Sequence, residues 1–246
     1  HMLTDTVALA LAWWAFREAR KPATPALSYG RARMPVLIAF ANAILLLVLT
    51  AWIVWEAIDR LIAPQDVRPV TMMVIAWLGL IVNVAAFLVL SGGNRENLNV
   101  RSAILHVLSD LLGSVAAIVA ATVILFTGFM AIDPILSLLV ALFILRTTAR
   151  LIRDAAHVLL EGAPAGATGA DIAAGLADVP GVVRVHHVHS WSISEERVMA
   201  TLHAEVADGA DAAAVRDRLR QRLADRFGVA HATIEVEETR RHRAGG

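Results

Sequence analysis

Four apolar stretches, each long enough to cross a lipid bilayer as a helix, constrain this chain more than any other feature. They cover residues 35–58, 70–90, 102–126 and 132–151, and a spanning helix needs roughly 20 apolar residues. A fifth stretch, residues 3–16, covers only about two-thirds of a hydrocarbon core of ~30 Å. We expect it to be the inner part of a span that begins upstream, which makes the chain a fragment with five visible spans. The alternative is that the first two residues are a cloning remnant.

The composition agrees with a membrane protein and excludes several other classes. Hydrophobic residues make up 57% of the chain and charged residues 18%, which is too apolar for an ordinary soluble domain or a disordered chain. There is no cysteine, so thiolate zinc sites and cysteine nucleophiles are excluded and any metal must bind histidine and carboxylate. The formal net charge is zero, which argues against nucleic acid as a partner.

The basic residues predict the orientation of the spans. Loops that contain several arginines alternate with loops that contain almost none, and basic loops stay in the cytoplasm. This rule places the C-terminal part in the cytoplasm. The abundance of alanine and arginine, with one lysine in the chain, is typical of a bacterial gene, so we expect a protein that crosses the bacterial inner membrane several times. The basic residues concerned are Arg17, Arg20, Lys21, Arg31, Arg33, Arg95, Arg101, Arg146, Arg150 and Arg153.

After residue 164 the hydrophobic pattern changes to that of a small soluble domain. Helical patterns at residues 171–176 and 210–227 and alternating β-rich patterns at 182–193, 198–206 and 232–236 predict the order α-β-β-α-β. This order is typical of a ferredoxin-like α+β domain. We therefore expect an α-helical membrane bundle in residues 1–156 and a cytoplasmic ferredoxin-like domain in residues 157–246.

Two pairs of ionisable residues lie inside the apolar stretches. His106 and Asp110 are four residues apart, so they share one helix face, and Asp110 lies ~14 Å beyond Arg101, near the middle of the bilayer. The same spacing recurs at His1 and Asp5 at a matching depth. Charge at this depth is costly and usually functional. Two imidazoles and two carboxylates predict a tetrahedral zinc-type site. A proton relay without metal, or a purely structural hydrogen-bonded pair, are the alternatives.

Taken together, these residues resemble the cation diffusion facilitator family of divalent-metal/proton antiporters. The similarity covers essentially the whole chain, and its motifs occur in the family's order. The segments that carry it are His1-Met-Leu-Thr-Asp5, Tyr29-Gly-Arg-Ala-Arg33, Ser91-Gly-Gly-Asn94, Leu98-Asn-Val-Arg-Ser-Ala-Ile-Leu-His-Val-Leu-Ser-Asp110, Ile132-Asp-Pro134, His157-Val-Leu-Leu-Glu-Gly162 and Val185-His-His-Val-His-Ser-Trp191. The resemblance implies six spans, of which the first is missing here, a cytoplasmic domain and a homodimer.

The resemblance also implies the metal sites. The family's transport site corresponds to His1, Asp5, His106 and Asp110, and two histidines with two aspartates are associated with Zn²⁺, with Cd²⁺ or Co²⁺ often tolerated. A weaker site at the cytoplasmic dimer interface corresponds to His186, His203, Glu235 and Glu237, where the glutamates replace a histidine and an aspartate. His187, His189 and His231 are further candidates, and ordinary surface histidines are the alternative.

The expected function is efflux of Zn²⁺ from the cytoplasm in exchange for protons. Zn²⁺ is then the transported substrate, with a regulatory role in the cytoplasmic domain, and no organic cofactor is expected because the sequence has no phosphate-binding glycine loop. A membrane metalloenzyme is disfavoured because nothing resembles the HExxH zinc motif. A non-transporting metal sensor or metallochaperone-like protein is the main alternative.

Overall fold

The computed structural model describes residues 2–63, 68–91, 98–194 and 197–238. The chain divides into two compact units, His1–Ala156 and His157–Gly246. We call them the N-terminal and the C-terminal unit, and each is described by itself.

Five long helices make up the N-terminal unit. Four of them are long and apolar enough to cross a membrane, as the sequence predicted, and they extend a few residues beyond the apolar stretches at one or both ends. The helix predicted from the short first stretch has 18 residues. The helices are α1 (Met2–Ala19), α2 (Met34–Ile62), α3 (Pro69–Ser91), α4 (Leu98–Thr127) and α5 (Ile132–Leu159).

Helix α4 is central to the packing of the N-terminal unit. It packs along α3 and also contacts α1 and α2, and α1 packs on α2. A small residue allows α3 to approach α4 closely, because a Cβ at Gly79 would lie 3.3 Å from Ser114 Oγ. Many large apolar side chains of α3 are exposed, as expected for a helix that contacts lipid.

Ion pairs connect α5 to its neighbours near both ends. Asp133, in the first turn of α5, accepts a hydrogen bond of 3.3 Å from Arg60 on α2, and Arg60 also pairs with Glu56. Near the other end, Arg101 Nη1 on α4 lies 2.9 Å from Asp154 Oδ2. Both pairs link α5 to a neighbouring helix.

The C-terminal unit has the predicted order of elements. They are α6 (Gly169–Leu176), β1 (Val182–Ser194), β2 (Arg197–Val206), α7 (Ala212–Phe227) and β3 (Val229–Glu238). The sheet has the order β1-β2-β3, with β2 antiparallel to β1 and parallel to β3. The predicted ferredoxin-like class is confirmed, and the third strand extends further at both ends than the pattern at residues 232–236 indicated.

The two helices form a hydrophobic core with one face of this sheet. The predicted apolar stripe of α7 is fully buried, and it packs with α6 and with alternate residues of β2 and β3. Successive side chains on a strand point to opposite faces, so the intervening residues of β2 and β3 lie on the other face. The core residues are Ile172, Leu176, Ala200, Leu202, Ala204, Val206, Val215, Leu219, Leu223 and Ile234.

The start of α6 generates a prediction about pH. Thr168 and Asp171 form a capping box, and the hydrogen bonds from Thr168 lower the pKa of Asp171 below its ordinary value of 3.8. A lowered folded-state pKa stabilises the fold above the unfolded pKa, and this contribution is lost as pH falls through the folded value. In Asp171→Asn we expect weaker protection of the α6 amides at pH 7, by hydrogen exchange corrected for intrinsic rates.

The difference between Asp171→Asn and the parent should disappear once the pH is below the folded-state pKa. Asp217→Asn, which removes an exposed carboxylate from α7, is the control and should leave α6 unchanged. A difference of equal size at pH 7 and at low pH would show that the ionised carboxylate is not the stabilising group.

Candidate metal sites

The first candidate site lies on α4, where the helical spacing brings His106 and Asp110 together. His106 Nε2 lies 3.9 Å from Asp110 Oδ2, and their side chains are 14% and 25% exposed. Both residues make further interactions. The pair is therefore mostly shielded within an apolar helix, one turn apart, with nitrogen and oxygen donors on the same face.

The other two residues predicted for this site belong to α1 or precede it. Asp5 lies within α1, which contacts α4, so the two helices that carry the predicted ligands are neighbours. His1 and the side chain of Asp5 lie outside the described residues. The four-residue transport site remains a prediction.

The second candidate site lies on the open face of the C-terminal sheet. The strand register aligns His186 on β1 with His203 on β2, and His203 with Glu235 on β3. The next aligned pair on this face is Glu205 with Glu237. The sheet thus brings together all four residues predicted for the cytoplasmic site, together with one residue that was not predicted.

The distances within this cluster are short. His203 Nδ1 lies 2.6 Å from Glu237 Oε1, and His203 Nε2 lies 3.6 Å from Glu235 Oε2. His186 Nε2 lies 3.4 Å from Glu237 Oε2 and 3.5 Å from Glu205 Oε1. This nitrogen is buried but makes no hydrogen bond within the described part of the chain. A partly desolvated imidazole nitrogen thus lies between two carboxylates.

A bulge in β1 adds a third imidazole to the cluster. The register shifts between His186 and His189, and His187 has a positive φ of 47°. A bulge inserts an extra residue and redirects a side chain. His186 Nδ1 and His187 Nδ1 lie 2.8 Å apart, and the ring centroids of His187 and His203 lie 5.2 Å apart.

The donor atoms have the spacing and chemistry that zinc requires. Three overlapping groups have ligand atoms within 4.8 Å of one another: His186-His187-His203, His186-Glu205-Glu237 and His203-Glu235-Glu237. In a tetrahedral site with bonds of ~2.0–2.1 Å, neighbouring ligand atoms lie about 3.4 Å apart. The distances around His186 Nε2 match this value, so these residues fit a zinc ion.

Glu205 is the residue that the sequence analysis missed. It follows His203 by two positions on a strand, so the alternation of side chains could have placed it on the same face. Arg184 donates two hydrogen bonds to Glu205 Oε1, of 3.2 and 2.9 Å, which partly neutralises the acidic cluster. Of the other candidates, His189 and His231 belong to none of the three groups among the described residues.

Comparisons with known proteins connect both units to one family. Residues 1–160 match the cation efflux transmembrane domain, and residues 164–239 match the cytoplasmic domain of cation efflux proteins. The chain belongs to the cation efflux family. It is therefore a transporter rather than an enzyme, with several membrane spans and a cytoplasmic C-terminal unit, as predicted.

Curated relatives of this cation efflux protein cover most of its length. The zinc transporter ZitB of Escherichia coli (strain K12) is 47% identical over 239 residues, which is 96% of this chain and 76% of the relative. The metal cation efflux system protein CzcD of Cupriavidus metallidurans is 39% identical over 96% of this chain and 75% of its own. A cadmium, cobalt and zinc/H(+)-K(+) antiporter of Bacillus velezensis is 36% identical over 96% and 77%.

The hydrogen bond between His203 and Glu237 generates a prediction for the metal-free protein. This bond is the largest cause of the lowered pKa of Glu237, because a donor to a carboxylate favours its ionised form. In His203→Ala the pKa of Glu237 should rise towards its ordinary value, as measured by NMR titration of the side-chain carboxyl carbons. His231→Ala should leave it unchanged, and an unchanged pKa in His203→Ala would contradict this cause.

Proposed function

We propose that this protein exports divalent zinc from the cytoplasm in exchange for protons, through a site on α1 and α4. The observation that carries the proposal is the His106–Asp110 pair, an imidazole and a carboxylate mostly shielded within a helix that is apolar enough to span the membrane. Its relatives named as zinc transporters support zinc as the substrate. The relative named as a zinc/H(+)-K(+) antiporter supports coupling to protons. Cd²⁺ and Co²⁺ are further substrates in this proposal.

Four ligands would complete the transport site. His1, which precedes α1, and Asp5, within α1, would join His106 and Asp110 of α4 in a tetrahedral arrangement that suits zinc. The contact between α1 and α4 supports this arrangement. Two neighbouring helices can supply ligands from both sides to an ion that has lost its water.

Competition between protons and zinc for the same atoms would couple the two fluxes. A histidine or aspartate binds metal only when it is deprotonated. On the outer side, protons that bind the site would displace zinc. On the cytoplasmic side, where the pH is higher, loss of these protons would restore affinity for zinc. The helices need only expose the site alternately to each side, with no covalent intermediate.

Transport by reconstituted protein tests this function. Asp110→Asn keeps the size of the side chain but removes its charge, so we expect Zn²⁺ flux into proteoliposomes to fall by roughly 100-fold or more. A fluorescent zinc indicator measures the metal, and a pH dye measures the counter-flow of protons. Asp59→Asn, which removes an exposed carboxylate near the end of α2, is the matched control and should transport normally.

Two results would contradict the proposal. Normal flux in Asp110→Asn would remove the transport site, and zinc binding by the parent without flux under a proton gradient would favour a metal sensor instead. Zinc flux without a pH change would leave transport in place and remove the exchange for protons.

We further propose that the cytoplasmic cluster binds regulatory zinc and that the C-terminal unit forms the contact of a homodimer. The close spacing of His186, His203, Glu235 and Glu237 supports a metal site, and Glu205 supplies an additional carboxylate. Zinc on this sheet face would neutralise carboxylates that otherwise repel one another. Two copies could then approach through this face, which links cytoplasmic zinc to transport.

Removal of one ligand tests the cytoplasmic site. In His203→Ala, which keeps the transport site intact, we expect zinc affinity of the cytoplasmic site to fall by about 10-fold or more, as measured by calorimetry with Asp110→Asn as the background. His231→Ala removes an exposed imidazole from β3 outside the three groups and should bind zinc like its parent. Equal affinities in the two variants would exclude His203 as a ligand.

A further inference from the structure

The last turn of α1 and the loop that leads to α2, residues 17–33, form a basic surface that zinc transport does not explain. We call it the basic segment. Because α5 leads into the cytoplasmic unit and successive spans alternate in direction, α2 begins on the cytoplasmic side. The basic segment therefore lies at the cytoplasmic surface of the membrane.

The charge of this segment is strongly one-sided. It contains five basic residues and one acidic residue, Glu18. Glu18 is 5% exposed, so the carboxylate is largely withdrawn from the surface. What the segment presents to its surroundings is positive: Arg17, Arg20, Lys21 and Arg31 are all exposed.

The buried carboxylate also organises its basic neighbours. Lys21 Nζ lies 2.8 Å from Glu18 Oε2, and Arg31 pairs with Glu18 Oε1. Lys21 and Arg31 come from opposite ends of the loop, and Glu18 brings them to one place. A reverse turn closed by backbone hydrogen bonds between Thr24 and Leu27 shortens the path between them. Two of the four exposed cations of the basic segment, Lys21 and Arg31, thus meet at one point.

Aromatic side chains accompany these cations. The guanidinium of Arg17 lies 5.7 Å from the ring centroid of Trp13, and Trp13 is 63% exposed. Tyr29, within the same segment, is 51% exposed. Tryptophan and tyrosine favour the headgroup level of a bilayer, and arginine and lysine there bind phosphate. The aromatic rings of Trp13 and Tyr29 therefore suit the membrane interface, and the cations of the basic segment suit an anionic headgroup.

We propose that the basic segment binds the headgroups of anionic phospholipids in the cytoplasmic leaflet. Charge complementarity selects the anionic lipid, and the convergence of Lys21 and Arg31 on Glu18 keeps the cations in a fixed arrangement. The cations available to the lipid phosphate are Arg17, Arg20, Lys21 and Arg31, at the inner end of α1 and in the loop that follows it. The lipid thereby anchors the helix whose other end carries Asp5.

Lipid titration of the purified full chain tests this proposal. Native mass spectrometry in detergent measures the dissociation constants of phosphatidylglycerol and phosphatidylcholine. The parent should bind phosphatidylglycerol more tightly. Each cation contributes about fivefold to anionic lipid binding, so Arg17→Gln/Arg20→Gln should weaken phosphatidylglycerol binding by about 25-fold and leave phosphatidylcholine binding unchanged. Arg17→Lys/Arg20→Lys, which keeps the positive charge, should retain most of the affinity for phosphatidylglycerol.

The control removes the same charge elsewhere. Arg218→Gln/Arg220→Gln neutralises two exposed arginines of α7 and should bind phosphatidylglycerol like the parent. Equal binding of both lipids by the parent, or equal weakening in the two glutamine variants, would overturn the proposal. If millimolar inorganic phosphate displaced phosphatidylglycerol, the basic segment would be a site for a free anion, and the proposal would likewise be overturned. An unchanged melting temperature without added lipid verifies that each variant is folded.

Discussion

The cost of placing an ionisable side chain inside hydrocarbon is the constraint on which this structure depends. A charged aspartate at the centre of a spanning helix costs on the order of 2.5–3.5 kcal/mol on insertion scales. Asp110 is mostly shielded, and ionisable residues at this depth usually face a partner or a cavity. Binding a cation offsets the cost, because the carboxylate is then neutralised. In the proposed mechanism zinc and protons neutralise the same carboxylate, so that binding of one excludes the other.

The cytoplasmic cluster also combines imidazoles with carboxylates, but it lies outside the membrane-spanning helices. The side chains of this cluster are partly exposed to water, so carboxylates can lie close together without a large desolvation cost. Glu205, Glu235 and Glu237 gather around two aligned histidines because β2 pairs with both neighbours in register. Arg184 and the imidazoles offset part of the repulsion. In the proposed cytoplasmic site a divalent ion would offset more of this repulsion.

Hydrophobic periodicity predicted the long helices, the order of elements in the C-terminal unit and the buried stripe of α7, because burial of apolar side chains decides these features. Spacing along one helix was likewise sufficient to pair His106 with Asp110. The bulge at His187 could not be predicted, since no local pattern distinguishes it from a regular strand. The burial of Glu18 depends on a partner 13 residues away in the loop, Arg31, and such contacts are not encoded in periodicity. The position of Glu205 on the same sheet face as His203 could have been predicted from the alternation of side chains along the strand.

The ion pairs of α5 lie at levels of the membrane different from that of the His106–Asp110 pair. Asp133 and Asp154 are 21 residues apart, a helical rise of ~32 Å that matches the thickness of the hydrocarbon core. Their partners Arg60 and Arg101 therefore meet them near the two membrane surfaces, where the Arg101–Asp154 pair is exposed and the carboxylate of Asp133 is largely buried. His106 and Asp110 lie between these levels, where an ion pair is strengthened by the low dielectric. The ion pairs of α5 therefore link helices at levels different from that of the proposed transport site, and their carboxylates already have arginine partners.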